Sequence, residues 1–252
     1  ECNSFLATLM QTKHQIKVFT CCARRIFSSR KLLLMIFCSM LFSGCGSNSF
    51  QFKNIAKSDT DLVSDMHILT INAQAQQLMA KLYKRNPREL AKVPGQTVAM
   101  RLAQMADFPA ALSVEELGGE GSIGAMQLAF EGDFNGDRVF ALGVGLRGML
   151  FKAYNEKEEV FLLDSLDPQK LYNSARNLEI MAWRLTHRRN AKGELLLLTN
   201  GTDDVINLSF ERLFGKMIAT QDMISNIIAG RANRTVNKIF HSIAQAVFLP
   251  VG

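Results

Sequence analysis

The sequence predicts an all-α or mainly α fold: one multi-helix domain with room for a single short strand pair. Three observations carry this. Apolar residues recur at helical spacing through most of the second half and the middle of the chain, as in Ile68, Ile71, Ala75, Leu78 and Leu82. Helix-start chemistry stands in front of those stripes, at Ser58 with Asp61, Asn86-Pro87, Asp137 and Asp167-Pro168. The 252 residues, 48% apolar and 21% charged, suffice for one core without disulfide or metal staples.

Taken in order, Ser58 and Asp61 form a capping-box pattern ahead of a helix over about 60–85. Asn86-Pro87-Arg88-Glu89 opens a second helix, with proline in its first turn, and Val93-Pro94-Gly95 stops it. Val98, Leu102 and Met105 mark a third, over about 96–107. Residues 108–121 read as a loop with three acids and a glycine cluster, and residues 122–131 as a short helix. Residues 132–137 form a turn, after which Asp137 caps a helix running to about Tyr154.

That helix carries Gly143, Gly145 and Gly148, each costing about 1 kcal/mol relative to alanine. Close packing against a neighbour accounts for them; a strand over Val139–Phe151 is the alternative. Asp167-Pro168 starts the next helix, whose stripe is Leu171, Ala175, Leu178, Ala182 and Leu185. Leu195–Leu198 suits a short strand inside a loop. Residues 205–247 read as one kinked helix or two, with Val236, Ile239, Ile243 and Val247 continuing the stripe beyond Gly230. No fixed-period repeat is present.

Charge and cysteine divide the chain. Residues 1–44 hold six Lys and Arg against Glu1 alone, and the remainder holds 23 against 22 acids, so the net charge of +6 belongs almost wholly to the first part. Cys2, Cys21, Cys22, Cys38 and Cys45 are all the cysteines there are. Arg24, Arg25, Arg30 and Lys31 precede an eleven-residue apolar run, Leu32 to Phe42. That run is shorter than the roughly 20 residues a spanning helix needs and fits a signal-peptide h-region. Ser43-Gly44-Cys45 follows, with Phe42 where leucine is usual.

The stretch 24–47 resembles the lipobox signal of bacterial lipoprotein precursors. The resemblance implies cleavage after Ser43 and Gly44 and a covalent lipid on Cys45 as the mature N-terminus. Gly46, in place of an aspartate, implies the outer membrane of a Gram-negative cell, with the chain anchored at its periplasmic face rather than spanning it. The expected organisation is an extension of unclear status over 1–23, with Met10 a natural start; a signal peptide over 24–44; a polar tether over 45–58; and a helical domain over 59–252.

Chemistry is sparse in the mature part. Its histidines are His67, His187 and His241, none with a second ligand at metal-site spacing, and its one thiol is the lipid-bearing Cys45. Asp133, Asn135 and Asp137 resemble the first half of a calcium loop, in which alternate oxygens converge on a hard cation. Arg138 stands where such loops have glycine. The segment Gly121 to Leu128 resembles the Gly-x-Met-Gln-Leu stretch of lytic transglycosylases. That resemblance makes Glu115, Glu116 and Glu120 the candidate acids, although none stands in the family's Glu-Ser pair. Trp183, Arg184, His187, Arg188, Arg189 and Lys192 could meet lipid head groups, but cations at a helix C-terminus also complement its dipole.

The expectation is a non-enzymatic structural or interaction subunit of the cell envelope, with a membrane anchor, an envelope protein partner, no nucleic acid and no cofactor beyond the lipid. A peptidoglycan-acting enzyme and a carrier of an apolar ligand are the alternatives.

Overall fold

The computed structural model describes residues 58–107, 114–161, 165–199, 208–238 and 246–252. Cys45, Ser43, Gly44, the signal stretch, nearly all of the tether, His241, Ile239 and Ile243 lie outside the described residues. Among those described, seven α-helices occur and no β-strand. They are α1 (Asp59–Arg85), α2 (Pro87–Leu90), α3 (Val98–Asp107), α4 (Ser122–Leu128), α5 (Arg138–Ala153), α6 (Pro168–His187) and α7 (Ser209–Ala232). A 3-10 turn covers Glu115–Leu117.

The chain is therefore mainly helical, and the starts fall where the capping residues put them. Ser58 and Asp61 close a reciprocal capping box on α1. The Asp137 carboxylate accepts from the N–H of Phe140 at 3.0 Å, and that of Asp167 from Gln169 at 2.8 Å. Asn86 departs from its expected part. Its side chain makes no cap bond on α2 and turns instead to Leu198, 112 residues away.

Helix α5 is the central element. Ten of its first eleven residues after Arg138 are apolar or glycine, and nearly all are buried. It packs on α4, α1, α3 and α6, while α6 pairs most extensively with α7, and α7 returns to α1. The glycines of α5 do what close packing requires. A Cβ on Gly148 would stand 2.8 Å from the Ser122 Cα, and one on Gly145 would reach the Met126 backbone N at 2.5 Å. A Cβ on Gly143 would collide with the Met105 thioether of α3. Two helices thus meet backbone to backbone, and Val139–Phe151 is helix rather than strand.

Two expectations need correction. Leu195–Leu198 does not form a strand; Arg189 and Leu195 share one isolated antiparallel bridge. The last helix ends at Ala232, where Asn233 takes a left-handed conformation with φ of 49°. Val236 and Val247 are therefore not on a helix. Val247 is 68% exposed, whereas Phe248, Leu249 and Val251 beside it, in a segment without regular secondary structure, are buried.

Candidate functional site

The densest set of charged groups surrounds the N-terminus of α5. Asp137 is fully buried. Its Oδ1 caps the helix, and its Oδ2 accepts from the Tyr83 hydroxyl at 2.8 Å. Glu89, 2% exposed, accepts from the N–H of Arg138 at 3.0 Å. Two carboxylates thus face the positive end of one helix dipole. Lys92 binds Glu89 at 2.6 Å and donates to the Gly136 carbonyl.

Arg101 of α3 enters from the other side. It is 1% exposed, and its guanidinium holds Glu116 by two bonds of 2.8 and 2.6 Å. Its Nε lies 3.5 Å from Asp137 Oδ2, an ion pair too long for a good hydrogen bond. The same guanidinium stands 4.1 Å from the centre of the Phe140 ring, a cation–π contact. Burial pushes the Tyr83 phenol well up, and the neighbouring Asp137 charge adds to this. Burial also raises the Asp137 carboxyl, against the opposing bonds from Phe140 and Tyr83. For Arg101, burial works against the charged form, but Glu116 outweighs it and the guanidinium stays charged.

Arg138 explains the shape of the turn before α5. Its guanidinium donates to the carbonyls of Ala129 (2.8 Å), Glu131 (2.6 Å), Gly132 (3.4 Å) and Phe134 (2.7 Å). The carbonyls of a turn that looks like a cation loop are thus gathered round the chain's own cation. Asp133 and Asn135 are exposed, whereas Asp137 is turned inward to Tyr83 and Phe140. The three do not converge. Among the described residues no group of three or more His, Cys, Asp or Glu side chains could hold a metal ion.

The three glutamates differ in circumstance. Glu116 is bound to Arg101 by two hydrogen bonds. Glu115 is exposed on the same 3-10 turn. The Glu120 carboxylate rests against Gly124 in the first turn of α4, where a Cβ would strike it. Met126 of the Gly-x-Met-Gln-Leu segment is fully buried with its backbone beneath Gly145, so its place is in the α4–α5 seam.

The basic group at the end of α6 splits in two. His187, Arg188, Arg189 and Lys192 are exposed, and the His187 ring stacks on Trp183 at 4.4 Å. Arg184 is buried, with its guanidinium 4.2 Å from the Phe248 ring. A cavity of about 180 Å³ lies among Asn72, Gln76, Met79, Met105, Gly143 and Arg147. That is less than the roughly 300–1,000 Å³ of ordinary ligand pockets. No helix among the described residues is long and apolar enough to cross a membrane.

Sequence reasoning singled out Asp137 and Glu116 but missed Tyr83, Glu89 and Arg101 as their partners. Tyr83 and Arg101 read only as residues within helices, and nothing in their spacing points across the fold. Compared with known proteins, the chain matches no protein-family model, no curated protein sequence and no solved structure.

Proposed function

We propose that this chain is a bacterial lipoprotein, anchored by lipid on Cys45 at the periplasmic face of the outer membrane. Its helical domain serves there as a structural or interaction subunit of the envelope. The observation that carries the reading is the basic flank, short apolar run and Ser43-Gly44-Cys45 ending, followed within 14 residues by the first described helix at Asp59. That helix supports an interaction role. Its inward face builds the core, yet Leu62, Met66 and Leu69 form a second apolar row on the solvent side, with Met66 61% and Leu69 63% exposed. One helix with two apolar faces suits a domain with a protein partner.

Metabolic labelling with a fatty acid tests the anchor. The wild-type chain takes up label and fractionates with membrane, and Cys45→Ala does neither. A Cys45→Ala chain that still acquires lipid would sink the reading. Crosslinking in intact cells tests the subunit role: a discrete crosslinked partner is expected, and Met66→Asp with Leu69→Asp should abolish it while lipid labelling persists. A wild-type chain that forms no adduct would count against the role.

A further inference from the structure

Helices α1, α3 and α5 leave a cavity between them. Asn72 and Met79 line it from α1, at the i, i+7 spacing that keeps both on one face. Met105 and Ala106 line it from α3, and Arg147 from α5. Gly143, one turn before Arg147, has no Cβ, and the Met105 thioether lies across it. Met79 and Met105 are buried, so the inner wall is apolar. Asn72 and Arg147 are half-buried and bring the polar groups.

Arg147 is the unusual member. A guanidinium has five N–H donors. Among the described residues, one hydrogen bond uses them, to Asn72 Oδ1 at 3.2 Å. Glu158 Oε1 stands 3.7 Å from Nη2, beyond hydrogen-bond range, on a side chain 77% exposed. The neighbouring arginines are treated differently. Arg101 holds a carboxylate by two short bonds, and Arg138 donates to four carbonyls. Burial works against the Arg147 charge, and the loosely held Glu158 is what offsets it. A guanidinium with donors to spare, set in an apolar wall, favours an anion. A carboxylate matches its planar fork with two parallel bonds.

The volume sets the rest of the ligand. The cavity holds about 180 Å³. An apolar cavity of about 150 Å³ takes benzene. There is thus room for one ring-sized body with its carboxylate, and none for the acyl chain of a membrane lipid. We propose that the cavity between α1, α3 and α5 binds a small free monocarboxylate with an apolar body of about six carbons. Its carboxylate pairs with Arg147, which Asn72 holds in position, and its body rests on Met79 and Met105. The inference depends neither on the lipid anchor nor on a protein partner.

The test titrates the full chain with benzoate. Benzamide serves as the uncharged counterpart, and acetate as the carboxylate without a body. Methionine labelled with carbon-13 at its methyl group makes Met79 and Met105 report on the cavity itself. Benzoate should shift both methyl signals saturably, with a Kd on the order of 1 mM or tighter for so small a ligand. Benzamide and acetate should bind at least about ten-fold more weakly. Arg147→Met should weaken benzoate about ten-fold or more and remove its advantage over benzamide. Ala106→Leu fills the cavity from α3 while leaving Arg147 in place, and should abolish the shifts.

No saturable methyl shift with benzoate up to about 20 mM would overturn the proposal, since a tighter site would be more than nine-tenths full there. Equal affinities for benzoate and benzamide would overturn it as well, and that comparison needs no variant. So would an Arg147→Met chain that binds benzoate as the wild type does. Should Arg147→Met lose its helical circular dichroism, Ala106→Leu decides: benzoate binding that survives the filled cavity would place the ligand elsewhere and sink the assignment.

Discussion

Two places in this molecule hold irregular chain against a helix, and they do it by different means. At the start of α5, Arg138 gathers four carbonyls from residues 129–134. Along α6, the amides of Asn173 and Asn177, with Arg184 at one end, hold residues 246–252. The first clamp is local, reaching back only four to nine residues, and it is charged and buried. The second joins residues 72 apart in sequence. A buried guanidinium stripped of its carbonyls would leave an unsatisfied charge, so the first clamp has no inexpensive open state. The Asn177 amide is buried too but uncharged, so losing its partner costs less than stranding a charge. The difference separates a local closure built on one charge from a long-range one built mainly on amides.

The two-bond amide clamp recurs twice, at Asn86 and again on α6 itself at Gln169. Asn86 donates to the Leu198 carbonyl at 2.9 Å and accepts from its N–H at 2.7 Å. Gln169 does the same for Asn237 at 3.2 and 2.8 Å. Carboxamides thus take the place of a neighbouring strand at three points.

The largest expected effect tests the charged clamp. Arg138→Met should cost about 3–5 kcal/mol, because it leaves four buried or part-buried carbonyls without their donor. Urea unfolding reads this directly, and a loss below about 1 kcal/mol would mean that water replaces the guanidinium.

Asn177→Leu should cost less, about 1–3 kcal/mol for an unpaired Leu249 N–H and C=O. Its distinguishing sign is local: hydrogen exchange at residues 246–252 should rise many-fold while α5 stays protected. Equal exchange gains in α5 would erase the contrast between the clamps. The Arg138→Met and Asn177→Leu losses should add within about 0.5 kcal/mol, since the two share no partner. A larger coupling in the double variant would show the clamps to be one unit.

The smallest effect comes from a third place, between α1 and α7. Burial holds the His67 imidazole below its ordinary value, opposed by a bond to the Thr220 backbone, and its Nδ1 has no partner. The unfolded chain therefore takes up a proton at higher pH than the folded one. Stability is full above about pH 6.5 and declines as pH falls from there toward the lowered folded value. His67→Gln should flatten that decline in thermal melts between pH 7 and pH 5. The slope should persist unchanged in Asn177→Leu, and its disappearance there would link the two sites.

What the sequence reveals follows the same division between local and distant. Helix starts rest on residues two to four apart, so Ser58, Asp137 and Asp167 were legible as caps. The glycines of α5 announced a close approach without naming Ser122 and Met126 as what they approach. Asn86 marked a true helix start at Pro87, but its amide bonds Leu82 and a partner 112 residues away instead of capping that helix. Val247 misled in another way: apolar spacing over 236–247 suits a helix, but Asn233 turns the chain left-handed, Val247 is exposed, and Phe248, Leu249 and Val251 are the residues buried. Of the charged site, Asp137 and Glu116 could be seen, but their meeting through Arg101 depends on three helices converging.

Helix α5 also ends as it begins, with a buried phenol. Tyr83 donates to its N-cap Asp137, and Tyr154 at its C-cap donates to Gln221 at 3.1 Å. Burial raises both hydroxyls well beyond the ordinary tyrosine range. The central helix therefore carries an intrinsic optical reporter at each end: in alkali, late phenolate absorbance signals that α5 has opened, and Tyr83→Phe or Tyr154→Phe assigns it to one end.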